Sequence, residues 1–336
     1  MRVAIVSDAW RPQVNGVVRT LEATAAGLRA RGHAVEVIGP EGFRSWPAPT
    51  EPALRLALAP GRALAARLDA FAPDALHLAT EGPLGWAGRR IARRRGWRFT
   101  TSFHTLFPDY LKARLGVPRR WSWAALRRFH AAAGAVLVAT PSLEALLGRR
   151  GIAHVARWGR GVDLALFRPH ASGAFAGLPR PVWLSVGRLA PEKNLPAFLA
   201  LDLPGSQVVV GEGPDGPALR ARFPRAHFLG HRAGAALAAC YADCFVFPSR
   251  TDTFGLVLLE ALACGTPVAA FPVPGPRDVL GAAPVGALDE DLRAACLRAL
   301  GADRARCRAH AAAHGWDVAT DRFLDLLVPL HEKVSA

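Results

Sequence analysis

The sequence predicts an α/β protein made of two doubly wound parallel-sheet domains, with a C-terminal helix that returns to the first of them. Three observations carry that expectation. A length of 336 residues suits about two domains at roughly 150 residues each. Short apolar runs alternate with stretches of helical periodicity, the pattern of a parallel sheet covered on both faces. The pattern then restarts at Pro181, after a stretch rich in proline and glycine.

In the first half, Val3–Ser7 is an apolar run that ends in a loop, and Val17–Arg31 follows with apolar residues at helical spacing. Ala34–Ile38 is the next strand, stopped by Gly39-Pro40. Ala75–Leu78, Phe99–Phe103 and Ala135–Ala139 are further strands, each followed by a helix. Residues 1–165 form the first domain on this reading. Residues 166–180 form a linker, because Pro169, Gly173, Gly177 and Pro179 fall there. Val182–Val186, Gln207–Val210, His227–Leu229, Cys244–Phe247 and Pro267–Ala270 are the strands of the second domain, 181–316. From Gly315-Trp316 the chain is helical again to the end, and 317–336 is the returning helix.

At 51% hydrophobic and 21% charged residues, the composition is that of a globular chain and excludes a disordered or collagen-like one. No apolar run approaches the roughly 18 residues of a membrane span. The longest, Ala131–Ala139, reads as a buried strand, and the N-terminus runs straight into a strand without signal-peptide form. Five cysteines without zinc-site spacing fit a reduced, cytoplasmic protein, with Cys240 and Cys244 as core positions of a helix and a strand. The net charge of +15 lies wholly in residues 1–160, whereas 161–336 balances to zero. Codon usage accounts for arginine replacing lysine but does not place the excess in one half. The first half therefore faces something anionic.

The segment Pro248–Val268 is the most informative. A strand ends at Phe247 and a helix begins near Phe254-Gly255, so its first-turn amides form an anion site. Asp252 precedes that helix and Glu260 lies on it eight residues later, about two turns on, so both carboxylates reach one ligand from the same side. The plainer reading makes Asp252 an N-cap and Glu260 a solvated position. Glu260 is flanked by Leu258, Leu259, Ala261 and Leu262, however, and a carboxylate in an apolar stretch needs a partner. In Gly187-Arg188-Leu-Ala-Pro-Glu-Lys193-Asn194, two cations follow the first strand of the second domain and suit a diphosphate, although loop cations are most often merely solvated. Gly211 and Gly213 form another post-strand turn, a donor-binding candidate where glycine permits close backbone approach to a ligand.

Asn15-Gly16, between the first strand and first helix, permits positive φ and a tight approach beside a helix N-terminus. The loop lacks the Gly-x-Gly-x-x-Gly spacing of dinucleotide dehydrogenases and is not a Walker A loop. His104 stands where a strand ends, a position for either a structural or a ligand-facing histidine.

Together these segments resemble the retaining glycosyltransferases of family 4, which have the GT-B fold of two Rossmann-like domains facing across a cleft. The resemblance runs almost the full chain. The family's Glu-x7-Glu element is present as Asp252-x7-Glu260, followed by Ala261-Leu-Ala-Cys-Gly265-Thr-Pro-Val268, so the first Glu is an Asp with shorter reach. The resemblance implies that Glu260 binds the nucleotide ribose and that Asp252, with the backbone at Phe254, Gly255 and Leu256, holds the donor sugar. It also implies that Arg188 and Lys193, beside Gly187, bind the diphosphate, that His104 lies near the donor sugar, and that Asn15 and Gly16 lie beside the diphosphate and acceptor. Pro12–Leu21, Ser102–Tyr110 and Arg160-Gly-Val-Asp163 look like enzymes described as GDP-mannose-dependent α-mannosyltransferases. Related lipid glycosyltransferases share these stretches and use UDP-sugars, with diacylglycerol as an acceptor.

The implied reaction retains anomeric configuration without a covalent enzyme intermediate, and no carboxylate pair of the glycosidase kind is evident. The departing diphosphate takes the acceptor's proton, while Arg188, Lys193 and helix amides stabilise its charge. No Asp-x-Asp motif stands at a strand end, so no metal and no cofactor is expected. Arg119, Arg120, Trp121, Trp123, Arg127 and Arg128 lie on one short helix, with Trp121, Ala125 and Phe129 along a stripe. Aromatic residues beside arginines suit an anionic membrane surface at the inner face of the membrane, and equally an amphipathic helix with a solvated basic face. A nucleic-acid-binding protein is the alternative from another class, since a basic half also neutralises phosphates. It leaves the motifs of residues 187–265 without a task.

Overall fold

Aliphatic residues alternating between two faces set the strands of both sheets. In the computed structural model, which describes residues 1–13, 15–48, 51–169 and 174–331, the chain divides into two units. The first comprises residues 1–159 and the C-terminal stretch from Trp316, and the second is Arg160–Gly315.

The first unit runs β1 (Arg2–Val6), α1 (Gly16–Ala30), β2 (Ala34–Ile38), β3 (Ser45–Ala48), β4 (Glu51–Ala57), α2 (Gly61–Phe71), β5 (Ala75–Leu78) and α3 (Pro83–Arg95). It continues through β6 (Thr100–Phe103), α4 (Phe107–Leu115), α5 (Arg119–His130), β7 (Ala135–Val138), α6 (Pro141–Arg149) and β8 (Val155–Arg157). Six strands form a parallel sheet in the order β2-β1-β5-β6-β7-β8, and β3 pairs with β4 as a separate antiparallel pair. The two-residue period of a strand explains how β1 serves two cores. Val3 and Ile5 pack with Leu21, Leu28, Trp158 and Phe323 on one face, while Ala4 and Val6 pack with Leu76, Leu78, Phe103 and Phe129 on the other.

The second unit runs β9 (Val182–Val186), a 3₁₀ turn (Pro191–Lys193), α7 (Leu195–Leu199), β10 (Ser206–Val210), α8 (Gly216–Arg222), β11 (His227–Phe228), α9 (Gly234–Ala238) and β12 (Cys244–Phe247). It ends with α10 (Leu256–Ala263), β13 (Val268–Ala270), α11 (Pro274–Leu280), β14 (Gly286–Leu288), α12 (Leu292–Ala299) and α13 (Arg304–Ala312). Its sheet is parallel throughout, in the order β11-β10-β9-β12-β13-β14. That is the doubly wound order in which strand direction of travel reverses between β9 and β12, the place where such sheets bind ligands.

The last helix, α14 (Trp316–Leu326), returns to the first unit, as the sequence led us to expect. It packs along α1 because Gly27 has no side chain, where a Cβ would lie 2.4 Å from Thr320 Oγ1. Arg31 ties the pair to Asp321 at 2.6 Å, and Trp158 Nε1 donates to the Ala319 carbonyl at 3.1 Å.

Several local expectations are corrected. The strand expected over Ala131–Ala139 is confined to Ala135–Val138, because α5 ends at His130 and a turn intervenes. The strands β3, β8 and β14, of three or four residues, were not evident in the sequence, and neither was β4. The stretch expected as a linker is packed, with Phe167 and Phe175 buried in the core of the second unit. Residues 170–173 of it lie outside the described residues. The C-terminal helix stops at Leu326 rather than running to the end. All five cysteines are buried and free.

Candidate functional site

The reversal between β9 and β12 places two strand-to-helix loops side by side, 187–194 after β9 and 248–255 after β12. Four contacts bind these loops to each other. Lys193 Nζ donates to both carboxylate oxygens of Asp252 at 2.8 Å. Ser249 Oγ donates to the Glu192 carbonyl at 3.0 Å, Thr251 Oγ1 to the same carbonyl at 3.4 Å, and Asn194 Nδ2 to the Pro248 carbonyl at 3.0 Å. Arg188 forms an ion pair with Glu192. Thus the two cations expected to hold a diphosphate lie on one loop, each against a carboxylate.

Asp252 is not the N-cap of α10. Gly255 occupies that position with φ of 87° and no side-chain cap, so the first-turn amides of α10 carry no capping side chain. Phe254 and Gly255 precede the helix, and Leu256 is its first residue. Glu260 is buried, at 5% exposure, and its Oε2 accepts a hydrogen bond from the Tyr241 hydroxyl at 2.9 Å. The reading of Glu260 as a solvated helix position is therefore set aside: it faces inward, toward a phenol. A buried carboxylate is tolerated only with such a donor.

Glycines at this site answer to the protein's own backbone. A Cβ at Gly211 would lie 1.9 Å from the Gly187 carbonyl oxygen, and one at Gly213 would lie 2.4 Å from that of Leu189. Close backbone approach at these glycines is therefore between neighbouring loops. Gly275, in the first turn of α11, has the same relation to the loop after β12, since a Cβ would meet the Asp252 carbonyl oxygen at 2.7 Å and that of Phe254 at 3.2 Å.

In the first unit the strand order reverses between β1 and β5. Asp8, just past β1, bridges that point: it accepts from Thr80 Oγ1 at 2.9 Å and from the α3 amides of Leu84 at 2.9 Å and Gly85 at 3.3 Å. Burial pushes its carboxyl above the ordinary range, against the pull of those donors. The Asn15-Gly16 turn expected at positive φ is instead a helix cap. Asn15 is extended, at φ −150°, and its side chain accepts from the amides of Val17 and Val18 at 3.0 Å each. Val14 lies outside the described residues. His104 follows β6 and sets its ring edge-on to Trp158, with centroids 6.0 Å apart.

The basic helix α5 is oriented differently from the expected stripe. Trp123 is buried against Phe103, with Arg150 over its ring at 4.9 Å, and so has no surface role. Trp121, 65% exposed, lies on the solvent side with Ala125, Arg120, Arg127 and Arg128. Arg119 pairs with Asp109. The face that reaches solvent is therefore one tryptophan among arginines.

Sequence reasoning did not single out Asp8, Glu192, Tyr241, Ser249 or Gly275. Asp8 and Ser249 stand at strand ends beside the reversal points, a signal readable once strand order is known. Tyr241 and Gly275 act through tertiary neighbours and leave no local pattern. Among the described residues, no group of three or more His, Cys, Asp or Glu could hold a metal ion, and no helix is long and apolar enough to cross a membrane.

Comparison with known proteins shows the family. Residues 14–166 match the family model described as Glycosyltransferase Family 4, and residues 180–301 match Glycosyl transferases group 1. The chain is 36% identical over 316 residues to a GDP-mannose-dependent alpha-mannosyltransferase of Mycolicibacterium smegmatis, covering 86% of this chain and 84% of that protein. It is 30% identical over 263 residues to the sulfoquinovosyl transferase SQD2 of Arabidopsis thaliana, covering 71% of this chain and 50% of that one. Among solved structures, sucrose-phosphate synthase from Thermosynechococcus elongatus superposes with a TM-score of 0.79 at 22% identity, covering 97% of this chain and 98% of that one. Anabaena HepE in complex with UDP-glucose superposes with a TM-score of 0.70 at 15% identity, with 97% and 98% covered. The nucleic-acid-binding alternative accounted for charge alone and is replaced. The chain belongs to glycosyltransferase family 4, and it is a glycosyltransferase of the GT-B fold.

Proposed function

We propose that this enzyme moves mannose from GDP-mannose to a lipid or lipid-linked acceptor at an anionic membrane surface, with retention of configuration. The observation that carries the reading is the 36% identity, over most of both chains, to a GDP-mannose-dependent mannosyltransferase. The site suits the chemistry. Arg188 and Lys193 exchange their present carboxylate partners for the donor diphosphate, Glu260 takes the ribose hydroxyls, and Asp252 with the backbone at Phe254 and Gly255 takes the sugar. The sugar–phosphate C–O bond breaks as the bond to the acceptor oxygen forms on the same face, and the acceptor's proton passes to the departing diphosphate. Charge building on that oxygen is met by the two cations and the α10 amides. His104, at the end of β6, and Asn15, at the N-terminus of α1, stand in the first unit, which takes the acceptor. The exposed Trp121 and its arginines rest on the membrane surface, each cation adding about 1 kcal/mol near an anionic leaflet.

A second reading, transfer from a UDP-sugar to diacylglycerol, draws on the sulfoquinovosyl transferase relative. Radiolabelled GDP-mannose and UDP-glucose, each offered with a bacterial membrane lipid extract, separate the two. Label entering the organic phase from GDP-mannose alone is the expected result. Label from UDP-glucose alone establishes the second reading, and label from neither overturns both.

A further inference from the structure

A buried carboxylate that the transfer reaction leaves unused stands at the reversal point of the first unit. Asp8 lies two residues past the end of β1, 4% exposed, where the strand order turns between β1 and β5. Doubly wound sheets meet their ligands at such points. A carboxylate taken out of water needs donors, and those of Asp8 come mainly from a helix some way along the chain. Helix α3 starts after Gly82, which is extended and has no side chain to cap it. Asp8 supplies that cap from 76 residues away. The amides of Leu84 and Gly85, which it accepts, are the second- and third-residue donors that a capping side chain ordinarily takes. The fit depends on Gly82, where a Cβ would lie 2.4 Å from the Asp8 carboxyl carbon. The Asp8 amide in turn donates to Thr80 Oγ1 at 2.7 Å, so main chain and side chain are both held.

From Asp8 a chain of contacts runs on to the other helix at this point. The Asp8 carbonyl accepts from Gln13 Nε2 at 3.3 Å, and Gln13 Oε1 accepts from Asn15 Nδ2 at 3.2 Å. The remaining side-chain atom of Asn15, Oδ1, caps α1 through the amides of Val17 and Val18. Asp8, Gln13 and Asn15 thus join the N-termini of α3 and α1. Two further contacts fix the turn between them. Ser7 Oγ donates to the Ala9 carbonyl at 2.7 Å, and the Trp10 ring sits where a Cβ on Gly39 would come within 2.5 Å of it.

On the reading that the first unit takes the acceptor, we propose that Asp8 is a positioning residue for it. Anchored on α3 and acting through Gln13, Asp8 holds the loop after β1 so that Asn15 and Gly16 meet the acceptor in one fixed place. Being buried, Asp8 acts through that loop and not on the substrate itself. Donor binding belongs to the loops of the second unit and does not depend on it. A positioning group displaced by about 1 Å costs on the order of a hundredfold in rate, so a partly loosened loop costs less.

Three variants of the full chain test this. Asp8→Asn keeps the shape but puts a donor where the carboxylate accepts. Gln13→Ala cuts the chain of contacts and leaves the α3 cap in place; Gln13 is half-buried, so this variant folds whether or not Asp8→Asn does. Thr100→Val is the control, removing a buried hydroxyl bonded to His77 Nδ1 at 2.8 Å elsewhere in the same unit. Each is assayed below its melting temperature with whichever of GDP-mannose and UDP-glucose the wild type uses, against increasing bacterial membrane lipid extract. Hydrogen exchange is followed at residues 9–13 and 16–18. The half-saturating amount of extract is expected to rise about tenfold in Asp8→Asn, about threefold in Gln13→Ala and less than about twofold in Thr100→Val, with the KM for the donor unchanged in all three. Exchange at those residues quickens in the first two variants alone. Unchanged half-saturation in Asp8→Asn and Gln13→Ala overturns the proposal, as does unchanged exchange. An equal rise in Thr100→Val traces the effect to lost stability and overturns it too. Transfer by the wild type from neither donor is a separate failure, that of the acceptor reading, and removes the role of Asp8 with it.

Discussion

Replacing Gly275 by alanine sets two effects of opposite sign against each other. Gly275 lies in the first turn of α11, where its φ is not positive, so alanine suits the backbone. Helix propensity alone would then stabilise the protein by up to about 1 kcal/mol. The new Cβ, however, would lie 2.7 Å from the Asp252 carbonyl oxygen and 3.2 Å from that of Phe254. Ordinary contact begins at 3.4 Å, so the loop or the helix must give by about 0.7 Å, and both partners are backbone. Overpacking of this kind costs about 1–3 kcal/mol, which outweighs the propensity gain. The displaced loop carries Asp252 and leads into the α10 amides, and an error approaching 1 Å in a substrate-positioning group costs on the order of a hundredfold in rate. The assay is a melting curve together with kcat/KM for glycosyl transfer. The expected result is a lower melting temperature and a fall of about ten- to a hundredfold in kcat/KM. A variant with raised stability and full activity would refute the argument that Gly275 holds the loop.

Other expectations follow from the same geometry. Lys193→Ala is expected to lose about 10²- to 10³-fold in transfer rate, yet change stability by no more than about 1 kcal/mol, because its pair with Asp252 is only partly buried; parallel kinetics and denaturant titration check both halves. Tyr241→Phe removes the hydroxyl that donates to buried Glu260, and a cost of about 1–3 kcal/mol should appear in chemical denaturation. Burial raises the thiols of Cys264 and Cys296 to about 12 and that of Cys307 to about 11. Unfolded thiols ionise near about 8.5, so this contribution to stability is whole below that pH and is lost as pH rises through the folded values. The melting temperature should therefore fall above about pH 8.5, and at pH 8 a thiol-titrating reagent should react only after denaturant is added.

The architecture was legible because parallel strands buried on both faces announce themselves as apolar runs, as at Cys244–Phe247 and Ala75–Leu78. Strands β8 and β14, three residues each, were not, since pairing with a neighbour rather than composition makes them strands. At the site, the spacing of Asp252 and Glu260 and the cations of the 187–194 loop were visible as chemistry in sequence. What they contact was not. That Lys193 meets Asp252, 59 residues away, depends on β9 lying next to β12. Helix α5 shows the limit of periodicity: the stripe through Trp121 and the one through Trp123 are both apolar enough to face inward, and only the position of Phe103 decides for Trp123. Asn15 misled in another way, because Asn-Gly suits a left-handed turn and asparagine equally suits an N-cap. The helix that follows it selects the cap.

The central claim is that the loops after β9 and β12 hold the diphosphate of a guanine nucleotide-sugar. Melting temperatures of the wild type and of Lys193→Ala with saturating GDP, UDP and ADP test it most directly. At about 100 times its dissociation constant a ligand adds roughly 2.7 kcal/mol, a shift well within reach of the measurement. The account predicts stabilisation of the wild type by GDP alone and its loss in Lys193→Ala. Stabilisation by UDP alone, or an equal shift by GDP in the variant, would contradict it.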